Sequence, residues 1–225
     1  MNAAAPVILR ELYLIRHGQS LGNIDGIPAD VGLADREDPP LSPLGAEQAA
    51  LLSRFYAETA FDAVYSSALQ RAMQTAAGLL AAKATPQPLR IEPLLTEIGV
   101  DPAFEGRPRE ELLRLCPLPE FPQGPLIQSN AFHDEAAAFA RARALFDKLF
   151  AQYQNGEKIA LVSHAGILTF LIFELIGYHN HQPFDFRLNN TGVTHVIFYQ
   201  PGTNPYGDMV FECVNDRSHL QRTRA

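Results

Sequence analysis

An arginine and a histidine stand side by side where an apolar segment of the chain ends. Residues 12–15 (Leu-Tyr-Leu-Ile) predict a buried strand, and Arg16, His17 and Gly18 follow it directly. Two adjacent cationic or potentially cationic side chains repel each other unless an anion lies between them. Gly18 allows either a turn with positive φ or a close approach of two backbone segments. The pattern indicates an anion site at the carboxyl end of a strand, although a lone histidine there is more often structural.

A second candidate, Arg71, falls in the first turn of a helix predicted over residues 68–83. This helix follows a short predicted strand at 63–65. A cation in the first turn opposes the helix dipole, and an anion bound near the helix N-terminus would remove that cost. A surface arginine that is tolerated at small cost is the alternative interpretation.

Glu97 and His164 complete the set of candidates. Glu97 follows an apolar segment that comes shortly after a strand predicted at 89–91. His164 follows a clear buried strand at 159–162 and precedes a helix that ends near residue 176. Because the carboxyl ends of parallel strands meet at one edge of a sheet, we expect all of these side chains to converge on one crevice.

The candidates together comprise two imidazoles, two guanidiniums and one carboxylate, and this set suits phosphoryl transfer. A neutral imidazole can act as a covalent nucleophile. Arginines bind phosphate oxygens in a bidentate manner and neutralise developing charge. A protonated second histidine can stabilise the transferring group, and a carboxylic acid can protonate the leaving alcohol. Such a cationic cluster could replace Mg²⁺, so we expect neither a metal nor another cofactor.

Composition narrows the class of protein further. The chain has 225 residues, of which 47% are hydrophobic, and this is typical of a single domain spanning residues 1–225. A net charge of −7 and the lack of a basic stripe argue against a nucleic-acid partner. Cys116 and Cys213 show no zinc or disulfide spacing, which favours a reducing, cytoplasmic setting. No signal peptide is evident at the N-terminus.

Two other patterns have ordinary interpretations. The largely apolar segment 159–177 contains His164 and Glu174, so we interpret it as a strand and a helix rather than a membrane span. His179 and His181 flank one residue, but two histidines alone do not complete a metal site. No membrane and no metal ion are therefore expected.

Strands that alternate with helices predict an α/β fold, a three-layer α/β/α sandwich with a mostly parallel sheet and helices on both faces. Residues 1–11 are predicted to be a lead-in, 21–40 a loop with solvated charges, and the last ten or so residues to be loose. The proline-rich part of 99–131 is interpreted as an insertion or lid. The remaining predicted elements are helices at about 43–59, 109–115 and 133–153 and strands at 193–199 and 208–214.

At these positions the sequence resembles the histidine phosphatase superfamily, also called the phosphoglycerate mutase-like family. Residues 14–20 (Leu-Ile-Arg-His-Gly-Gln-Ser) are similar to the Arg-His-Gly segment that closes the first strand in that family. Four further segments resemble family motifs in the same order: 40–49, 65–76, 95–106 and 161–166. The resemblance covers residues 12 to 169, and its five ordered motifs make it specific.

The resemblance implies a role for each candidate. His17 would accept the phosphoryl group as a phosphohistidine. Glu97 would be the proton donor and later the base for water, with Glu105 as its rival. The substrate would be a small phosphorylated molecule, and a homodimer is compatible with the family. The phosphoryl group would be held by Arg16, Asn23, Arg71, His164 and the backbone N–H of Ala165.

The sequence departs from the family pattern at a few positions. Gln19 stands where glutamate is frequent, and Ala165 stands where glycine is frequent. The segment around Glu97 does not resemble the Glu-Arg-His-Tyr-Gly segment of cofactor-dependent mutases, which favours a phosphatase. A phosphoglycerate mutase-type transferase is the alternative. A non-catalytic phosphate-binding or interaction module is a third, although such a module does not need a proton donor.

Substrate choice is expected to depend on two loops, at residues 24–40 and 99–131, because loops on a rigid scaffold commonly carry specificity. Three arginines in these loops could bind a second anionic group of the substrate, and solvation is the alternative for at least two of them: Arg36, Arg107 and Arg109.

Overall fold

A computed structural model describes residues 5–24, 30–81, 86–116, 118–179 and 185–221. The seven strands are β1 (Ile8–Arg16), β2 (Ala63–Ser66), β3 (Leu89–Ile91), β4 (Pro119–Glu120), β5 (Glu157–Ser163), β6 (Val193–Tyr199) and β7 (Met209–Asp216). The α-helices of these residues are α1 (Leu33–Glu37), α2 (Pro43–Phe55), α3 (Gln70–Ala81), α4 (Arg109–Leu112), α5 (Glu135–Gln152) and α6 (Ala165–Leu175).

The strands form one sheet in the order β4-β3-β2-β5-β1-β6-β7. The pairings from β4 to β1 are parallel, whereas β6 and β7 are antiparallel to their neighbours. Successive parallel strands are connected through helices, because parallel strands need long crossover connections. This arrangement confirms the predicted α/β fold with a mostly parallel sheet.

Each face of the sheet is covered by a separate apolar core, because successive side chains of a strand point to opposite faces. In β1, Leu12 and Leu14 pack in the core that contains α5 and α6. Tyr13 and Ile15 pack in the core beneath α2 and α3. The three predicted layers are therefore present, and β1 and β5 at the centre of the sheet are buried on both faces.

The first strand begins earlier than predicted, because two charged residues of the expected lead-in are buried in the sheet. Arg10 donates from Nε to the carbonyl of Tyr153 at 2.6 Å, and its guanidinium lies 4.4 Å from the ring centre of Phe150. Glu11 accepts a hydrogen bond of 2.8 Å from the Nε2 atom of His195. From the sequence alone, buried charged residues with such partners cannot be distinguished from exposed charged residues.

Three other segments also differ from the prediction. The predicted loop at 21–40 contains α1 and a 3₁₀ helix at Leu21–Asn23, and the insertion contains the two-residue strand β4. The predicted loose end contains a 3₁₀ helix at Ser218–Leu220, in which His219 is buried. These elements are short, so they lack the repeated periodicity on which such predictions depend.

The segment 159–177 forms strand β5 and helix α6, as predicted. Among the helices of the described residues, none combines the length and the apolar character that a membrane crossing requires.

Gly18 and Gly45 permit a close approach between the segment after β1 and the first turn of α2. A Cβ atom at Gly18 would lie 2.5 Å from the carbonyl oxygen of Gly45, and one at Gly45 would lie 1.9 Å from that of Gln19. Gly18 is not among the residues with positive φ, so the close approach, and not a left-handed turn, explains its identity. This contact fixes the backbone beside His17.

We expect Gly45→Ala to lower the free energy of unfolding by about 1–3 kcal/mol, because the new methyl group forces two backbone segments apart. Without this clash, a Gly→Ala change within a helix stabilises by roughly 0.5–1 kcal/mol. Urea denaturation measures the change. Gly124→Ala is the matched control, since a Cβ atom there meets nothing within 4 Å. Equal stability of the two variants would contradict the close contact.

Candidate active site

The candidate residues meet at the carboxyl edge of the parallel strands, around a cavity of about 250 Å³. This is where open α/β sheets bind ligands. The 3₁₀ helix at Leu21–Asn23 forms part of the cavity wall. Six of the predicted residues line it: Arg16, His17, Asn23, Arg36, Arg71 and Glu97.

His17 follows β1 directly, and only 4% of its surface is exposed. Its Nδ1 atom lies 2.6 Å from the carbonyl oxygen of Gly18, which can only accept a hydrogen bond. Nδ1 therefore carries the proton, and Nε2 is the basic nitrogen of the neutral ring. Burial, together with Arg71 and Arg16, holds the pKa of His17 well below its usual value. The ring is thus a neutral imidazole with one lone pair available.

His164 lies next to His17, with the two ring centres 5.0 Å apart. It is fully buried, and its Nε2 atom forms a hydrogen bond of 2.7 Å with the Oγ atom of Ser67. Its Nδ1 atom has no hydrogen-bond partner among the described residues. Burial, with Arg71 and His17 as further causes, holds its pKa well below the usual value. An anion that accepted a hydrogen bond from an Nδ1–H group would satisfy this buried atom.

Arg16 and Arg71 bring two guanidiniums to the same cavity. Arg16 is half-buried at the end of β1 and donates from Nη1 to the carbonyl of Leu188 at 2.7 Å. Arg71 is buried in the first turn of α3 and donates to the carbonyl of Glu37 at 3.1 Å. These backbone acceptors orient the two side chains but do not neutralise their charge.

Asp38 supplies a buried negative charge at the N-terminus of α3. It is fully buried, accepts a hydrogen bond of 2.7 Å from the N–H of Gln70 and lies 3.7 Å from Arg71. Arg107 approaches its second oxygen to 3.3 Å. Burial raises the pKa of Asp38 to about 6, against the opposing effect of both arginines. The loop charges were predicted to be solvated, and for Asp38 this was wrong.

Glu97 follows a 3₁₀ helix, Pro93–Leu95, rather than the end of β3 itself. Its carboxylate accepts hydrogen bonds from the N–H groups of Ile98 (2.9 Å), Gly166 (3.1 Å) and Ile167 (2.9 Å). The last two lie in the first turn of α6, where a negative charge is favourable. Three donors therefore hold the carboxylate in one orientation on the cavity wall.

Arg141 of α5 supports the backbone that carries Glu97. It is 4% exposed and donates to the carbonyls of Leu94 (3.0 Å) and Thr96, and to the Oδ1 atom of Asn130 (2.6 Å). Burial lowers the pKa of Arg141 to about 10. Because Thr96 immediately precedes Glu97 and Asn130 belongs to the segment predicted as a lid, Arg141 connects the two.

Asn23 and Ala165 are the two remaining phosphate-binding candidates. The Oδ1 atom of Asn23 accepts hydrogen bonds from the N–H of Ser20 (3.1 Å) and from Asn190 (3.3 Å). Its amide nitrogen is therefore the group available to an anion. Ala165 is the first residue of α6, so its N–H is one of the donors that a helix leaves free at its N-terminus.

Residues from the C-terminal part hold the backbone of the Arg16–His17 pair. The N–H of Thr191 lies 3.0 Å from the carbonyl of Arg16, and Asn190 donates to the carbonyl of His17 at 3.1 Å. The Oγ1 atom of Thr191 is 2.9 Å from the Nε2 atom of the buried His219. The 3₁₀ helix at Ser218–Leu220 thus supports the backbone of Arg16 through Thr191.

The predicted specificity residues differ in their surroundings. Arg36 lines the cavity but forms ion pairs with Glu37 (3.2 Å) and Asp101 (3.5 Å). Arg107 contacts Asp35 at 2.6 Å, and Arg109 donates to the carbonyl of Pro122 at 2.8 Å. Each arginine already has an acceptor within the chain.

Glu105, the rival of Glu97, is exposed and lines a second, larger cavity next to the first. It is not among the residues around the smaller cavity, where His17 and Glu97 are found.

Sequence reasoning missed Asp38, Ser67, Arg141 and Thr191 as supporting residues. Ser67 alone gave a signal, because it follows a predicted strand in the same way as His164. The other three support the site through tertiary contacts that leave no local pattern. In the described part of the chain, no group of three or more histidine, cysteine, aspartate or glutamate side chains could hold a metal ion. Of the two histidines considered as a metal pair, His181 lies outside the described residues.

Comparisons with known proteins show to which family the chain belongs. A family model described as histidine phosphatase superfamily (branch 1) matches residues 12–205. The chain belongs to the histidine phosphatase superfamily. The predicted resemblance is thereby confirmed.

Several relatives of this histidine phosphatase are known. The adenosylcobalamin/alpha-ribazole phosphatase of Escherichia coli (strain K12) is 29% identical over 185 residues, which cover 79% of this chain and 85% of that protein. The probable phosphoglycerate mutase GpmB of Yersinia pestis is 28% identical over 220 residues, 93% and 94% of the two chains. The structure of phosphoserine phosphatase from Entamoeba histolytica in complex with 3-phosphoglyceric acid is 27% identical, with a TM-score of 0.59, and the match covers 94% and 100%. The relatives thus include both phosphatases and a protein named as a phosphoglycerate mutase.

The buried imidazoles make the stability of this histidine phosphatase depend on pH. The pKa of His17 is far below about 6.5, its ordinary value in an unfolded chain. As the pH falls below about 6.5, the unfolded chain binds a proton that the native site does not, so stability is lost. We expect the unfolding free energy in phosphate-free buffer to fall less steeply between about pH 7.5 and 5.5 in His17→Gln than in the wild type. Urea denaturation at a series of pH values measures this.

Asp38 acts in the opposite direction, because its raised pKa makes the native state bind a proton as the pH falls through about 6. It is present in both proteins, so the difference between their slopes reports on His17. Equal slopes for wild type and His17→Gln would contradict a depressed pKa.

Arg141 should matter far more for stability than Arg143, two residues along the same helix. Arg141→Met removes the donor from the buried carbonyl of Thr96 and the partly buried carbonyl of Leu94, and we expect a loss of about 2–4 kcal/mol. The side chain of Arg143 is 58% exposed in its ion pair with Glu174, so Arg143→Met should cost less than about 1 kcal/mol. Urea denaturation compares them, and losses of similar size would contradict the role assigned to Arg141.

Proposed function

We propose that this protein hydrolyses phosphate monoesters of small molecules without a metal ion, through a phosphohistidine on His17. The observation that carries the proposal is the hydrogen bond of 2.6 Å between Nδ1 of His17 and the Gly18 carbonyl. It leaves Nε2 as a neutral nucleophile on the wall of a cavity that also presents Arg16 and Arg71. A buried phosphate dianion would bind both guanidiniums and the free Nδ1 atom of His164.

The reaction consists of two displacements at phosphorus. In the first, a bond forms between Nε2 of His17 and phosphorus while the bond to the ester oxygen breaks, and Glu97 gives a proton to the departing alkoxide. In the second, water attacks the phosphohistidine, the N–P bond breaks, and the carboxylate of Glu97 takes the proton that water loses. Together, the two steps restore His17 and Glu97 to their starting forms.

Charge compensation by the chain itself supports a metal-independent mechanism. The transferring phosphoryl group would contact Arg16, Arg71 and His164, with further donors from Asn23 and the N–H of Ala165. Such preorganised donors stabilise the developing charge, as Mg²⁺ does in other phosphoryl-transfer sites. The position of Glu97 on the cavity wall, with Glu105 outside it, supports Glu97 as the proton donor.

A phosphoglycerate mutase is the second candidate, because the Yersinia pestis relative bears that name. A mutase must hold the carboxylate of its substrate while the phosphoryl group is returned to a second oxygen. Arg36 and Arg107 would suit a carboxylate, but both already contact acidic side chains, which favours the hydrolase. Incubation with 3-phosphoglycerate separates the two, since a hydrolase releases inorganic phosphate and a mutase forms 2-phosphoglycerate.

We also propose a reducing, cytoplasmic location. It is supported by the two cysteines, Cys116 and Cys213, which are both free thiols.

The central test is the covalent intermediate. We expect rapid acid-free quenching of the enzyme with labelled p-nitrophenyl phosphate to trap a phosphoprotein that is labile in acid and stable in base. His17→Ala should lose the label and roughly a thousandfold or more of kcat, because the nucleophile is absent. Activity should persist in EDTA.

His179→Ala serves as the matched control, because this histidine is exposed and is not among the residues that line the cavity. It should retain both label and activity. Full phosphatase activity in His17→Ala, or a phosphoprotein with the base lability of a phosphoserine, would disprove the mechanism.

A further inference from the structure

A second cavity of about 1090 Å³ opens beside the catalytic cavity. Most of its lining residues lie between 99 and 105 and between 124 and 133, largely within the predicted insertion or lid at 99–131. The two cavities share four lining residues: Glu37, Gly99, Val100 and Phe132. A phosphate ester bound at His17 would therefore direct its alcohol part past these residues into the larger cavity. Its volume far exceeds the needs of a three-carbon alcohol.

The charged side chains around the larger cavity do not favour a second anionic group on the substrate. Three carboxylates line it, those of Glu37, Asp101 and Glu105, against the single guanidinium of Arg109. Arg109 donates to a backbone carbonyl and lies 5.3 Å from the ring centre of Phe121. Because Arg36 pairs with Glu37 and Asp101, Glu105 is the carboxylate of this wall that would repel a carboxylate or a second phosphate.

The remaining wall is largely apolar, and it carries one exposed aromatic ring at the junction of the cavities. Phe132 is 64% exposed, although a phenylalanine normally buries its ring. Its ring lies over Gly99, where a Cβ atom would come within 2.1 Å of Cε2, and Gly99 has a φ of +74°. The apolar lining also includes Val100, Pro102, Pro125, Leu126 and Ile127.

We propose that this cavity binds the alcohol part of the substrate, and that the substrate is a monophosphate ester whose alcohol carries a flat aromatic group and no second anionic group. Phe132 is the specificity-determining residue, because its exposed face can stack on that group beside the bound phosphate. The inference rests on the proposed phosphatase activity and goes beyond it by naming the substrate class.

Two experiments test the inference. Hydrolysis is compared for naphthylethyl phosphate, ethyl phosphate and 3-phosphoglycerate, of which the first two share a primary alkoxide leaving group. We expect the wild type to show a kcat/KM for naphthylethyl phosphate at least about tenfold above that of the other two. Phe132→Ala should lower the ratio of kcat/KM for naphthylethyl phosphate to that for ethyl phosphate about tenfold, mainly through KM. Phe132→Tyr, which keeps an aromatic ring, should retain the wild-type ratio. Glu105→Gln should raise the kcat/KM for 3-phosphoglycerate several-fold.

The matched control is Tyr206→Ala, which removes an aromatic ring that is 88% exposed in the turn between β6 and β7. Its naphthylethyl-to-ethyl ratio should equal that of the wild type. A ratio near one in the wild type, a preference for 3-phosphoglycerate, or the same ratio in Phe132→Ala and Tyr206→Ala would overturn the inference.

The second experiment separates this inference from the proposed function, because it does not require turnover. Naphthylethyl phosphonate cannot be hydrolysed, and the chain has no tryptophan to interfere with naphthyl fluorescence. We expect this phosphonate to bind at least about tenfold more tightly than ethyl phosphonate, and Phe132→Ala to remove the difference. Binding without hydrolysis of any ester would refute the phosphatase but support the substrate-binding site. Hydrolysis with equal affinities would refute the site alone.

Discussion

Four basic side chains share one largely buried corner at the carboxyl edge of the sheet, and the surrounding structure has to keep them from repelling one another. The two imidazoles, His17 and His164, do so by remaining neutral, since burial and the nearby guanidiniums disfavour their protonation. The two guanidiniums cannot lose their charge, so they need acceptors. Arg71 has the buried carboxylate of Asp38 beside it, and Arg16 donates to a backbone carbonyl. The positive charge that remains is what a phosphate dianion would complement.

The catalytic candidates could be predicted because each follows or begins a regular element with a clear pattern. Continuous apolar segments define β1 and β5, and the parallel topology brings the residues after them to one edge. The groups that orient the candidates could not be predicted. Asp38 resembles a solvated loop charge in the sequence, and Arg141 resembles a surface residue of an amphipathic helix. Their burial depends on contacts between residues 32 to 47 positions apart, which no local periodicity reports.

The same difference distinguishes the long regular elements of the molecule from the segment 99–133. The sheet and helices α2, α3, α5 and α6 are long enough to be predicted and to pack two apolar cores. Among its described residues, the segment from 99 to 133 has little regular structure, and individual hydrogen bonds hold it in place. Ser129 donates to the carbonyl of Glu97 at 2.6 Å, and the N–H of Gly99 donates to Asn130 at 2.7 Å. The walls of the larger cavity are therefore attached to the same backbone that carries the proposed proton donor.

The support that Thr191 and His219 give to the backbone of Arg16 has a consequence for the order in which the protein matures. The strand that carries His17 is synthesised long before residues 218–220. β1 also takes its place in the sheet between β5 and β6, which both follow it by more than 140 residues. The proposed nucleophile therefore reaches its final position only after residues 218–220 have left the ribosome, so a chain that stops before them contains every proposed catalytic residue but not the full support of the site.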